Sequence, residues 1–244
     1  MGNKITQVIL LILIFTVAGC DNGQLFDSTG DILQEIRQIG AIRKISAYDN
    51  VNVIFSAKPE HGTVIVSAGN NLIKNITTDI LDGELFIRNN NKANWARDLD
   101  PAINVYIPYP DISEMFFETV GYVSCDTILP YKELAVTIEY GNGVISLELD
   151  CGKLSINNTN KGCTDIVVKG SCDELFITHN SYAPVDCSAL KAKKVDVREH
   201  GIQNCFVSVS DLLIVSIEDY GNVYYTGNPE VKSSVTGAGK LIAQ

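Results

Sequence analysis

The sequence predicts an all-β fold, a parallel β-helix (solenoid) with coils of about 20 residues. Three observations point there. Apolar residues follow a turn at Val123, Val144, Ile166, Val185, Cys205, Val223 and Leu241. Their regular spacing, one apolar position per short unit, marks a solenoid. Within each unit apolar and polar residues alternate with period two, as in "LAVTIEYGNGVIS" from Leu134 and "LIVSIEDYGNVYY" from Leu213. That is the pattern of strands, not helices. Glycine and proline punctuate the units, as in "TGNPE" and "YAPVD", where turns need them. A single coil of this size cannot cover its own apolar side, so the coils must stack in parallel and share one core. An antiparallel sandwich also has short strands and regular turns, but it carries no internal pattern repeated at fixed register.

From the N-terminus, residues 1–19 read as a lipoprotein signal peptide. Lys4 precedes the apolar run "VILLILIFTVAG", which is short for a membrane span. The run ends in Val17-Ala18-Gly19-Cys20, small residues before a cysteine, like a bacterial lipobox. Cys20 is therefore the expected lipidation site, and residues 20–27 form a short tether to a domain over 28–244. The mature chain is expected to be exported and held at a membrane, on the outer-membrane side of the envelope, through its N-terminal lipid.

The first part of that domain is strand-rich but less periodic: "AIRKISAYDNVNVIF", "GTVIVSA", "IKNITTDILDGELFIRN" and "AINVYIPYP". "AYDNVNV" and "LDGEL" read as turns between strands. The polar stretch Asn89–Pro101 has no alternation and reads as an exposed loop. Degenerate repeat copies then begin at Met115, Leu134, Leu154, Leu175, Val195 and Leu213, and a last one at Val231. The glycines of the final turn, Gly237 and Gly239, are read as residues needed for positive φ.

From about Ser28 onward the chain resembles the auto-transporter adhesin, head GIN domain family. The likeness rests on "IRKISAYDNVNVIF", "NVYIPYPDIS" and the ending "YGNVYYTGNPEVKSSVTGAGKL". The family's Ser-Gly-Ala-Gly turn is intact only as Thr236-Gly237-Ala238-Gly239, and has drifted to Glu218-Asp219-Tyr220-Gly221 and Glu118-Thr119-Val120-Gly121. Many members are exported proteins or lipoproteins of Bacteroidetes-type bacteria. The resemblance implies a β-helix and an adhesin role, and it supplies no catalytic residues.

Composition narrows the function. A net charge of −10 and a pI near 4.7 argue against nucleic acid, which needs a basic patch. No Gly-x-Ser-x-Gly elbow or His-Glu-x-x-His motif is present. The "GAGK" at Gly237 lacks the rest of a phosphate loop, so no cofactor is expected. Cys125, Cys151, Cys163, Cys172, Cys187 and Cys205 form no Cys-x-x-Cys pair, and no thiol metal site of that kind is expected. Cys151 and Cys172 each precede a repeat's leading Leu by the same short step, which places them face to face on adjacent coils, as a disulfide or as stacked thiols. Glu118 and Glu139 fall at the same turn position of neighbouring coils. They are read as solvated side chains, with a hard cation as the sharper alternative. His179 and His200 fall near one turn and read as a surface pair. Asp196, Arg198 and Glu199 are split between faces by alternation.

What remains is a non-catalytic, adhesin-like binding module for a glycan or a protein surface. A polysaccharide-active β-helix enzyme and a structural envelope scaffold are the alternatives. The expected contact residues are Tyr140, Tyr182 and Tyr220 at the turns, with Trp95 in the polar loop as a further contact or a cap on the core.

Overall fold

In the computed structural model, residues 29–92, 102–109, 112–159 and 162–244 are described. Cys20 and Trp95 lie outside them. The strands form one continuous 17-stranded sheet wound into a β-solenoid. Among the described residues no helix is long and apolar enough to cross a membrane.

The N-terminal part is built from β1 (Ile32–Gln38), β2 (Lys44–Asp49), β3 (Asn52–Phe55), β4 (Thr63–Gly69), β5 (Ile76–Leu81), β6 (Glu84–Asn89) and β7 (Asn104–Ile107). The two turns predicted here are present. Asp49 bends β2 into β3, and Asp82-Gly83 closes the β5–β6 hairpin, all three residues with positive φ. Asn and Asp tolerate that region better than most side chains. The expected exposed loop begins differently. Asn89 and Asn91 are buried in an amide network, where Asn91 donates to the Leu72 carbonyl and Asn75 donates to Asn91. A polar stretch can be interior when its amides bond to one another and to backbone.

The repeats follow as β8 (Glu114–Thr119), β9 (Tyr122–Cys125), β10 (Leu129–Glu139), β11 (Val144–Thr159), β12 (Asp165–His179), β13 (Val185–Glu199), β14 (Cys205–Ile217), β15 (Val223–Thr226), β16 (Glu230–Val235) and β17 (Leu241–Ala243). All pair in parallel with one another. The long strands run through a bend, so each contributes to two faces of the solenoid.

The repeat is legible in the register. Leu134, Leu154, Leu175, Val195, Leu213 and Val231 stack in one row. After the turn, Val123, Ile145, Ile166, Val185, Cys205, Val223 and Leu241 stack in another. The inward residue of the second coil is therefore Ile145, not Val144, which stacks between Tyr122 and Asp165 on the outer side. A one-residue shift exchanges faces, and Ile145 is the fully buried one of the two.

The N-terminal coils extend these rows out of chain order. β2 and β3 pair in parallel with β8 and β9 on one side and with β6 and β7 on the other. Ile45 thus lies between Leu85 and Met115. Antiparallel strands close that end: β5 lies on β6, and β4 on β7 with β1 outermost. The Arg37 guanidinium ties the two closures together, donating to the carbonyls of Ile73 at 3.1 Å and Ile76 at 2.5 Å. At the other end β16 and β17 each have a partner on one side only.

Gly237 and Gly239 are required for a reason other than the one expected. Neither has positive φ. A Cβ on Gly239 would lie 2.0 Å from the Gly221 carbonyl oxygen, and one on Gly237 would lie 2.3 Å from that of Asp219. The stacked turns approach too closely for any side chain.

Candidate functional site

Each coil has two corners, the turn column and the bend column. The predicted contact tyrosines occupy the first. Tyr140, Tyr182 and Tyr220 are all exposed, on coils two steps apart, or roughly 10 Å at a strand spacing of about 4.8 Å. Tyr140 also has a positive φ of 50°. Glu118 is exposed beside them and Glu139 stacks on Thr159. Among the described residues no group of three His, Cys, Asp or Glu side chains could hold a metal ion.

The histidines are not a surface pair. His179 is fully buried in the core. Its Nδ1 meets the Glu199 carboxylate at 2.7 Å, and its Nε2 donates to the Ala183 carbonyl at 2.8 Å. Glu199 also accepts from the Gly201 amide at 2.7 Å. His200 points outward to Glu218 at 3.4 Å. Asp196 and Arg198 lie on the outer side and Glu199 on the inner, as alternation requires. The dyad is sealed from solvent and lines none of the open grooves described here, so it is a structural pair.

The bend column carries what the sequence reading missed, an open groove of about 1030 Å³ running along the solenoid. Its floor is a single inward row, Tyr131, Cys151, Cys172, Ala192 and Val209, stacked coil on coil. Five rows span about 19 Å. One rim follows the preceding residues, Asp150, Ser171, Lys191 and Ser208. Asp173, Lys193 and Ser210 line the opposite side. The two acids are balanced by the two lysines, so the groove has no strong net sign. Ser171 donates to Asp150 at 2.8 Å, and Lys193 pairs with Asp173 at 2.7 Å. Gly170, with φ of +114°, lets the chain bend where a Cβ would strike the Leu149 carbonyl. No local motif announces this groove, because each coil contributes only a few of its residues and a whole repeat separates one set from the next.

Tyr131 closes one end of the floor. Its hydroxyl is buried beneath the floor and has no hydrogen-bond partner among the described residues. Burial pushes the phenol well above its ordinary value, so it stays a neutral donor. Cys151 and Cys172 are both free thiols, stacked as expected.

The "Putative auto-transporter adhesin, head GIN domain" family matches residues 42–229, most of the chain. The chain belongs to the head GIN domain family. The head GIN solenoid is also found in solved structures at low identity, which are similar in fold. A putative adhesin from Bacteroides fragilis NCTC 9343 superposes with a TM-score of 0.79 at 18% identity, covering 88% of this chain and 97% of that one. A putative adhesin from Parabacteroides distasonis ATCC 8503 gives 0.61 at 17%, covering 88% and 98%. A putative lipid binding protein from the same strain gives 0.61 at 16%, covering 90% and 99%. No curated protein matches this head GIN chain.

Proposed function

We propose that this chain is a non-catalytic binding module of the cell envelope, anchored through lipid on Cys20, that holds an extended glycan strand in the bend-column groove. The observation that carries this is the open groove, about 1030 Å³, whose floor and rims repeat from coil to coil. A repeating polymer suits a groove whose own walls repeat every coil. The narrow apolar floor and the mixed rim of serines, acids and lysines suit sugar rings with hydroxyls on both sides. The adhesin names of the relatives support the class. No histidine lines the groove to activate Ser171, and the carboxylates Asp150 and Asp173 are held by Ser171 and Lys193.

The test is binding of the purified chain to a glycan array and to intact envelope polysaccharide. Replacing the rim residues Ser171, Lys191 and Ser208 together with Ala should weaken binding about 5- to 30-fold, which corresponds to about 1–2 kcal/mol. Replacing Tyr140, Tyr182 and Tyr220 together with Ala should leave it unchanged. The reverse result would move the site to the turn column, and cleavage of the polysaccharide would replace the module by an enzyme. Release from the membrane fraction by Cys20→Ser tests the anchor.

A further inference from the structure

The geometry points to Cys151 and Cys172 as a two-coordinate site for a soft, thiophilic cation of the Cu(I) class, set in the floor of the groove. The two residues are in direct register on adjacent parallel strands. Both are free and nearly buried, at 7% and 5% exposure, and both line the groove, so the cation has an entrance. Stacked residues on parallel strands project in the same direction, which leaves their Cβ atoms about one strand spacing, ~4.8 Å, apart. A disulfide needs them at about 3.5–4.5 Å. Two metal–sulfur bonds of about 2.3 Å laid end to end span about 4.6 Å. The Cβ atoms thus stand too far apart for an unstrained sulfur–sulfur bond, and with both side chains projecting the same way the sulfurs keep about that spacing, which suits a sulfur–metal–sulfur bridge.

The surroundings decide which metal. Zinc wants four ligands, and among the described residues no third His, Cys, Asp or Glu completes a set here. Thiolate sulfur selects Cu(I) among soft ions, and Cu(I) accepts two ligands in line. Uptake follows Cu⁺ + 2 RSH → [Cu(SR)₂]⁻ + 2 H⁺, with no change of oxidation state. This site stands independently of any glycan in the groove.

The full chain, reduced and kept anaerobic in detergent, is titrated with Cu(I) against a competing chelator. Expected are one equivalent of Cu(I) per chain, a thiolate-to-copper absorption band, and two protons released per copper. Cys151→Ser and Cys172→Ser should each abolish that equivalent, and Cys163→Ser, at an exposed cysteine, should retain it. Should a serine variant not fold, bound Cu(I) must still protect Cys151 and Cys172 of the unmodified chain from alkylation, mapped by mass spectrometry. No uptake, uptake indifferent to both variants, absent protection, or a stable Cys151–Cys172 disulfide that resists mild reductant would each overturn the assignment.

Discussion

One column of the core shows how little polarity a solenoid interior needs in order to matter. Ile138, Asn158, His179, Glu199 and Ile217 stack in register, three polar residues between two isoleucines. His179→Ala would leave the Glu199 carboxylate sealed in without its partner. Loss of one member of a buried pair costs about 3–5 kcal/mol, so urea unfolding should show a drop of that order, and a double change to Leu at both positions should recover much of it. Among the described residues Asn158 has no hydrogen-bond partner for either side-chain atom. Asn158→Leu should therefore stabilise the chain, by about 1–3 kcal/mol. Cys187 and Cys205 are also fully buried, and burial pushes both thiols above the ordinary 9.0. The native thiols keep their protons where unfolded ones would lose theirs. This contribution is complete below pH 9.0 and is lost as pH rises from there toward the raised native values. Unfolding free energy should fall above about pH 9, less steeply in a Cys187→Ala, Cys205→Ala variant. None of this column's chemistry was legible beforehand. His179 occupies an alternating position that the repeat marks as inward, but its proximity to a turn outweighed that signal in the sequence reading.

At the scale of elements the repeat was legible wherever contacts lie one coil apart along the chain. From β10 to β17 the strands and turns follow the expected period, and the paired positions of Cys151 and Cys172 could be read from their distance to Leu154 and Leu175. The groove could not, since it depends on which corner the chain leaves open. The N-terminal order could not either. Val53 stacks on Val123 although several strands intervene in the chain, and no periodicity reports a contact across an inserted coil. At that end Arg37 ties together the antiparallel ladders that form the closure. Arg37→Ala removes two charge-assisted bonds to backbone carbonyls, each of a kind worth about 1.5–3 kcal/mol. Amide exchange in β1 and β5 should accelerate, with the middle strands little changed.

The whole molecule is a stack in which each coil touches only its neighbours, so its stability is close to a sum of coil and interface contributions. One end is closed by antiparallel strands and the other is open, with Val231 and Val235 exposed on β16. Opening should therefore begin at the open end. Hydrogen exchange should be fastest in β16 and β17 and slowest in β11 to β13, which are paired on both sides along most of their length. Equal protection throughout would mean that the stack unfolds as one unit.

The order of the first coils has a consequence for how the protein is made. Ile45 emerges from the ribosome early, yet both of its stacking partners, Leu85 and Met115, are synthesised later. The coil it belongs to cannot be completed while it is the only one available. It waits for one neighbour laid down on its outer side and another on its inner side. Winding therefore starts from a seed of three coils that exists only once β9 has been translated. From β10 onward each new coil has its template already in place. The number of coils can then change anywhere from β10 onward, whereas a coil added before the seed would have to displace the strands that close it.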